Sequence, residues 1–178
     1  LGATQISRTV GGASPTALYP NSGAVNLVAP LGAARFAFTT VEGGSHRLYL
    51  ADRDGGQKVP SLNSAVALHA IATRGNSTVA VATPSGLILR TNGGAAALTA
   101  LGNDVVRVAL DGPTMGEGVY VTTGAGEVRA CRLTSCTSAV TVASGFLGPE
   151  AIVVDPEFVY FVDKPTSRIL RVRKPVGF

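Results

Sequence analysis

Short β-favouring segments alternate with turn-forming segments along the chain. Four stretches share one pattern: a β-favouring run of four to six residues, a short turn with Gly, Pro or Ser, and a second β-favouring run. They are RFAFTTVEGGSHRLYLA from Arg35, TVAVATPSGLILRT from Thr78, GVYVTTGAGEVRAC from Gly118 and FVYFVDKPTSRILRV from Phe158. This pattern predicts four β-hairpins. Their first strands are anchored at Phe36, Val79, Val119 and Val159, so the hairpins recur every 40 to 43 residues.

Additional strands flank these hairpins. Each hairpin is preceded by an apolar segment: AVNLVA from Ala24, ALHAIAT from Ala67, VVRVALD from Val105 and AIVVD from Ala151. The first three are also followed by a segment: QKVPSL from Gln57, AAALTAL from Ala95 and AVTVAS from Ala139. The mixed apolar character of the preceding segments predicts central strands that are buried on both faces. We therefore expect repeats near 24–64, 67–101, 105–144 and 151–178, with a half-repeat at 5–20.

Four strands per unit, a period near 40 residues and no helix between units predict an all-β fold. The expected architecture is a single β-propeller domain over residues 1–178, with about four four-stranded blades. Composition agrees, because 22 Gly and 10 Pro among 178 residues leave little room for long helices. A parallel βαβ sheet would need helical crossovers, and a sandwich would not repeat at a fixed interval.

The two ends of the pattern leave two arrangements open. In a closed four-bladed ring, residues 16–19 would pair beside 168–173 as the outer strand of a composite blade. In a larger ring, these residues would belong to separate blades. The strand-like residues 5–9 favour the larger ring, because in a composite blade they would duplicate 168–173.

Positive charge is concentrated at one end of the sequence. The net charge is +4, and the stretch from Lys164 to Phe178 contains five basic residues and no acidic one. This is typical of a solvated edge strand that its charge keeps soluble. A nucleic-acid partner is not favoured, because the basic residues are not interleaved with aromatic ones and Trp is absent. No apolar run approaches 18 residues, so no membrane span is predicted.

The stretch from Gly118 to Lys174 resembles the repeats of bacterial surface and secreted propeller proteins, of the type common in myxobacteria. The residues that carry the likeness are VYVTTGAGEVRACRLTSC and then VTVASGFLGPEAIVVDPEFVYFVDKPTSRILRVRK. The segment ISRTVGGASPTALYPNSGA fits the strand-turn-strand part of such a repeat, whereas residues 24–104 match only in period. Val121 and Phe161 replace the usual Trp, and no repeat before residue 105 has the Asp that ends the inner strand.

The resemblance implies an exported bacterial protein that is extracellular, on the cell surface or periplasmic. It implies a ring that is often one part of a longer protein, and it implies no reaction. The chain has two cysteines, Cys131 and Cys136, at a spacing that suits a disulfide across a hairpin, free buried thiols, or a metal or catalytic thiol. The family pattern has cysteines at the same spacing, which implies the disulfide and an oxidising compartment.

Catalytic, cofactor-binding and metal-binding residues are not predicted at any position. The sequence has no G-x-S-x-G and no D-x-D-x-D-G motif, and its acidic residues are thinly spread. The central strands supply Asn26, His69 and Arg107 as polar groups. An enzyme with a site in the central channel, such as a metal-dependent lactonase or a lyase, is therefore a minor alternative.

A ligand surface is expected on the turns between the second and third strands of each unit. Its charged candidates are Asp163 and Lys164 in the last unit, with Glu42 and His46 in the first hairpin turn. The leading hypothesis is a non-catalytic binding or scaffolding module whose partner is a protein or a polysaccharide. The alternative is a structural subunit that self-associates, or that another chain completes through strand addition.

Overall fold

The structure is a computed structural model that describes residues 6–8, 16–19, 23–92, 94–112 and 117–177. Its first two strands form a hairpin, β1 (Ile6–Arg8) and β2 (Thr16–Tyr19). The turn expected between them, at residues 9–15, lies outside the described residues.

Four antiparallel sheets follow in chain order, and each is a meander of neighbouring strands. The first sheet comprises β3 (Ala24–Leu31), β4 (Arg35–Glu42), β5 (Ser45–Asp52) and β6 (Lys58–Ser64). The second comprises β7 (Ala70–Arg74), β8 (Thr78–Thr83), β9 (Gly86–Thr91) and β10 (Gly94–Leu98). The third comprises β11 (Val105–Leu110), β12 (Gly118–Thr123), β13 (Glu127–Arg132) and β14 (Val140–Ser144). The fourth comprises β15 (Pro149–Val154), β16 (Phe158–Asp163) and β17 (Arg168–Arg173).

The turns between second and third strands follow from their sequence. Gly43 and Gly44 connect β4 to β5 with φ values of +57° and +80°. Two consecutive positive φ values match the right-handed twist of a two-residue hairpin turn, and glycine adopts them without steric cost. Single-turn 3₁₀ segments occur at Thr99–Leu101 and Lys164–Thr166.

Consecutive sheets pack face to face around their first strands, and β3, β7, β11 and β15 are neighbours in that order. Leu31, Leu48 and Val79 belong to the core between the first and second sheets and are at most 1% exposed. Similar apolar cores join the second sheet to the third and the third to the fourth. Burial of each such side chain contributes about 1.5–3 kcal/mol relative to exposure, so these cores fix the row of sheets.

The β1–β2 hairpin packs on the side of the first sheet that faces away from the second. Its Tyr19 ring lies 5.9 Å from that of Phe36 and 6.2 Å from that of Phe38. The Tyr19 hydroxyl donates hydrogen bonds to the carbonyls of Asp52 and Gln57, at 2.7 and 2.8 Å. These contacts anchor the hairpin to the turn that follows β5.

The strand pairing bears on the composite blade expected in a closed four-bladed ring. Within the described ranges, β2 pairs with β1 alone and β17 pairs with β16 alone. Residues 16–19 therefore do not lie beside 168–173, and the composite blade is not formed. The reason is that β2 is already the partner of β1, and its aromatic side chain is buried against the first sheet.

Candidate functional site

The turn side is the end of the sheets where the second-to-third strand turns lie, at residues 43–44, 84–85, 124–126 and 164–167. On it, Glu42 belongs to a hydrogen-bonded cluster of the first sheet. Its carboxylate accepts hydrogen bonds from Arg47 Nη1, the Tyr49 hydroxyl and Thr40 Oγ1, each at 3.0 Å. The Glu42 side chain is 24% exposed and that of Arg47 is 41% exposed. An external ligand would meet Arg47 more readily than the carboxylate.

His46 does not lie in the hairpin turn where the sequence led us to expect it. Because Gly43 and Gly44 alone form the turn, His46 is the second residue of β5, opposite Val41. Its side chain is partly buried, and the alternation along β5 places it on the face opposite Arg47.

Asp163 is a structural residue at the end of β16. It is 4% exposed, and its carboxylate accepts a hydrogen bond from the Gly148 backbone N–H at 3.0 Å and from Thr166 Oγ1 at 2.8 Å. These bonds tie the last turn to the loop that precedes β15. Lys164 projects outward and pairs with Glu150 at 3.1 Å, with 70% of its side chain exposed.

The four expected surface residues therefore fall into two pairs. Glu42 and His46 are on the first sheet, and Asp163 and Lys164 are on the fourth, at opposite ends of the row of sheets. The turns between them consist of small residues whose polar groups bond locally, as where Thr83 Oγ1 donates to the Gly86 carbonyl at 3.1 Å.

A bridge around Arg129 on the third sheet was missed from the sequence. Its guanidinium contacts Glu127 at 2.6 Å and Asp104 at 3.8 Å, and donates a hydrogen bond to the Leu101 carbonyl at 3.2 Å. It links the loop entering the third sheet to the turn of that sheet. The pairing of Glu127 with Arg129 two residues later along a strand was the only sequence signal for this bridge.

The polar groups expected on the central strands do not converge. His69 precedes β7, and its Nε2 atom lies 2.6 Å from the Val105 carbonyl of the next sheet. Asn26 lies at an irregular step of β3, and Arg107 bonds to the Val106 carbonyl at 2.8 Å. Within the described ranges, no group of three His, Cys, Asp or Glu side chains is placed to hold a metal ion.

The opposite side of the sheets contains a buried ion pair that joins the end of β17 to the third sheet. Asp111 is fully buried, and the side chain of its partner Lys174 is 6% exposed. Asp111 also accepts a hydrogen bond from the Gly118 N–H at 2.8 Å and a longer one from the Tyr120 hydroxyl at 3.5 Å. Burial, and then the charge of Asp111, raise the pKa of Tyr120 well above its ordinary value.

The fourth sheet repeats part of this arrangement closer to solvent. Asp155 follows β15 and accepts hydrogen bonds from the Glu157 and Phe158 N–H groups at 2.8 and 2.7 Å. The Tyr160 hydroxyl donates to the same carboxylate at 2.7 Å. The Tyr160 bond, followed by those from the backbone, lowers the pKa of Asp155. The Asp that ends the inner strand and the Tyr of the next strand thus form one turn-closing unit.

Cys131 and Cys136 form a disulfide with a Cα–Cα distance of 5.2 Å. Cys131 ends the buried part of β13, and Cys136 lies in the loop that leads to β14. The cysteine spacing left three alternatives open, namely a disulfide, free buried thiols, or a metal or catalytic thiol. The structure has the disulfide.

The outward face of the fourth sheet, meaning its side away from the third sheet, carries exposed apolar side chains next to Arg171 and Arg173. Ile152, Phe161 and Leu170 form a cross-strand row that packs toward the third sheet. The alternate residues point the other way, and among them Val153 is 63% and Ile169 is 79% exposed. In the first three sheets, both faces are at least partly covered by a neighbouring sheet or by the hairpin.

A second apolar surface lies at the other end of the row. It is a cleft of about 700 Å³ between the β1–β2 hairpin and the first sheet. Val28, Pro30 and Phe36 line it on the side of the sheet, and Ile6 and Leu18 on the side of the hairpin. Val28 is 58% exposed there.

Solved structures share the arrangement of these sheets. A chain of the nidogen/laminin complex aligns with a TM-score of 0.72 and 14% identity, over 94% of this chain and 66% of that one. PorZ, a bacterial surface component of the type-IX secretion system of Porphyromonas gingivalis, aligns with a TM-score of 0.56 and 14% identity over 84% of this chain. AztD from Citrobacter koseri, in its apo form, aligns with a TM-score of 0.52 and 16% identity over 90% of it.

These neighbours have propeller folds. The chain is a β-propeller. The all-β propeller fold predicted from the sequence is thus confirmed. The propeller blades described here span 66% of the nidogen/laminin chain, 50% of AztD and 21% of PorZ. Identities of 14–16% establish the fold and nothing finer.

No protein-family model matches the chain, and no curated protein matches it in sequence. Among the described residues, no helix has the length and apolar character needed to cross a membrane.

Proposed function

We propose that this propeller is a non-catalytic binding or scaffolding module of an exported protein and that its partner is a protein. The observation that carries the proposal is the exposed outward face of the fourth sheet. Val153 and Ile169 are 63% and 79% exposed there, whereas the residues at the position of Ile169 in the second and third sheets, Leu87 and Val128, are 1% and 0% exposed. Exposed large apolar side chains on one sheet face mark a candidate interaction surface.

The chemistry of this face favours a protein over a polysaccharide. Its exposed aliphatic side chains, Val153 and Ile169, pack well against another apolar protein surface. A polysaccharide partner remains the second candidate, on the turn side, where Arg47 is exposed next to Glu42 on the first sheet and Lys164 is exposed on the fourth.

Export is supported by the disulfide between Cys131 and Cys136, because such bonds persist in oxidising compartments. The similarity in fold to a bacterial surface component and to a chain of the nidogen/laminin complex is consistent with this. The repeat pattern from Gly118 to Lys174 further supports a bacterial surface or secreted protein of the type common in myxobacteria.

Site-specific photocrosslinking tests the proposal. A photoreactive residue at Ile169 or Val153 should give a discrete protein adduct when the protein is incubated with its native extracellular fraction. The matched control is Val59 or Val140, which are 50% and 42% exposed on outer strands of other sheets and should give none. Equal labelling at all four positions, or no adduct at Ile169 and Val153 together with glycan binding on the turn side, would reject a protein partner.

A further inference from the structure

We propose that β17 is a docking edge for an extended, acidic segment of the partner protein, which adds to the fourth sheet as its fourth strand. This inference rests on the proposed function, because it assigns the partner's chemistry and the place where it binds. The mode of recognition is β-strand addition, in which the main chain supplies hydrogen bonds and alternate side chains supply specificity.

The first support is the position that β17 occupies. In the first three sheets, the third strands β5, β9 and β13 are each paired on both sides, and the outer partner is β6, β10 or β14. The equivalent third strand of the fourth sheet is β17, which among the described residues pairs with β16 alone. Its outward main-chain groups therefore present a strand-pairing edge.

The second support is an apolar row that stops at this edge. In the complete sheets the outer strand adds an apolar side chain to the core between sheets: Leu62 from β6, Leu98 from β10 and Val142 from β14. In the fourth sheet the rows that pack toward the third sheet end at Leu170 and Val172, which remain partly exposed. A partner strand with apolar residues opposite these two would extend the core beside the third sheet.

The third support is charge, which selects the chemistry of the partner. β17 carries Arg168, Arg171 and Arg173 and no acidic residue, and all three side chains are exposed. Arg171 lies over the Phe158 ring, with its guanidinium carbon 4.8 Å from the ring centroid, and Arg173 has a loose contact with Glu157 at 3.8 Å. Pairing of β17 with β17 of a second copy would oppose arginine to arginine, so charge disfavours self-association at this edge.

The register specifies the pattern of the partner strand. Outer strands β6, β10 and β14 run antiparallel to their third strands. In the same orientation, a segment beside β17 places acidic residues opposite Arg173 and Arg171 and apolar residues opposite Val172 and Leu170. The expected motif is thus an alternation of acidic and β-branched residues over about six positions.

The probe is a fluorescein-labelled hexapeptide, Glu-Val-Glu-Val-Thr-Glu, with Lys-Val-Lys-Val-Thr-Lys as its charge-reversed counterpart. Fluorescence anisotropy with the full chain should show that the acidic peptide binds at least about tenfold more tightly than the basic one. N-methylation of the acidic peptide's central backbone amides should abolish binding, because it removes main-chain pairing. Bound peptide should slow amide exchange in residues 168–173 and in no other strand.

The variant arm is the double substitution Arg171→Glu with Arg173→Glu, which should lose the acidic peptide and gain the basic one. A variant that binds the basic peptide is folded. The matched control, Lys58→Glu with Arg90→Glu, makes the same charge change on the first two sheets and should leave binding within about twofold of the wild type. The peptide arms use only the wild-type chain, so they decide the question even where a variant folds poorly.

Equal binding of the two peptides, binding unaffected by N-methylation, or protection of a different strand would overturn the inference. The outcome is separable from that of the proposed function. Adducts at Ile169 and Val153 without acidic-peptide binding would leave a protein-binding face and reject strand addition. Absence of both would reject the two together.

Discussion

At the scale of single residues, the buried pair of Asp111 and Lys174 is the main electrostatic contact between the third and fourth sheets. We predict that Lys174→Met lowers the free energy of unfolding by about 3 kcal/mol, because it leaves the Asp111 carboxylate buried without its counter-charge. Urea unfolding measures this. In the double variant Asp111→Asn with Lys174→Met, most of the loss should be recovered, because no buried charge remains. Equal losses in the single and double variants would show that the pair is solvated.

Asp155 gives a prediction about pH. Its pKa is lower in the folded chain than the ordinary aspartate value, chiefly because the Tyr160 hydroxyl donates to it. Its contribution to stability is therefore present above the unfolded-state pKa and is lost as the pH falls through the folded-state pKa. Between about pH 5 and pH 2, the unfolding free energy of the wild type should fall more steeply than that of Asp155→Asn.

Tyr160→Phe is the matched control for this prediction. It keeps the carboxylate but removes the largest cause of the lowered pKa, so its pH slope should lie between those of the wild type and Asp155→Asn. Identical slopes in all three proteins would mean that Asp155 titrates alike in the folded and unfolded chains.

Gly126, on the turn side, lies close to the loop that contains Phe146, and an alanine substitution tests this close approach. Gly126 has φ +81°, and a Cβ built there would lie 1.9 Å from the Phe146 carbonyl oxygen. Gly145 has a similar φ of +86° but faces open space. Both alanine variants incur the backbone strain, so Gly126→Ala should cost about 2 kcal/mol more than Gly145→Ala in thermal or urea unfolding. A smaller difference would show that the loop moves away freely.

At the scale of elements, the disulfide closes the loop between β13 and β14. The substitution of both Cys131 and Cys136 by Ser should lower stability by about 2 kcal/mol, from the entropy of a six-residue loop in the unfolded chain. Unfolding curves with and without reductant check this, because reductant should destabilise the wild type and leave the double variant unchanged. Insensitivity of the wild type to reductant would contradict it.

The elements were predictable where local pattern determines them. Phe36, Val79, Val119 and Val159 all fall in second strands, because a continuous β-favouring run bounded by turn residues is visible in the sequence. His46 was misplaced because two glycines sufficed for the turn, and a shift by one or two residues is invisible to composition. Asp163 was predicted to be a surface residue. Its burial depends on the hydrogen bond from the Gly148 N–H, which lies 15 residues away in sequence, so local pattern could not predict it.

At the scale of the whole molecule, the propeller fold was predictable from the repeat, but the contacts between sheets were not. The pairing of Asp111 with Lys174 spans 63 residues, and it exists only because the fourth sheet packs on the third. The pairing at the chain ends likewise came from the structure: among the described residues, β2 lies beside β1, and β17 lies beside β16. Periodicity gives the unit of the fold, whereas tertiary packing decides which edges remain available.

The central claim is that β17 is an available edge although it is the third strand of its sheet. Residue-resolved amide hydrogen exchange of the purified chain tests it most directly. We predict that alternate amides within residues 168–173 exchange as fast as those of the outer strands β6, β10 and β14, while β13 is protected throughout. Continuous protection of β17, equal to that of β13, would contradict the account, because it would mean that a strand already covers this edge.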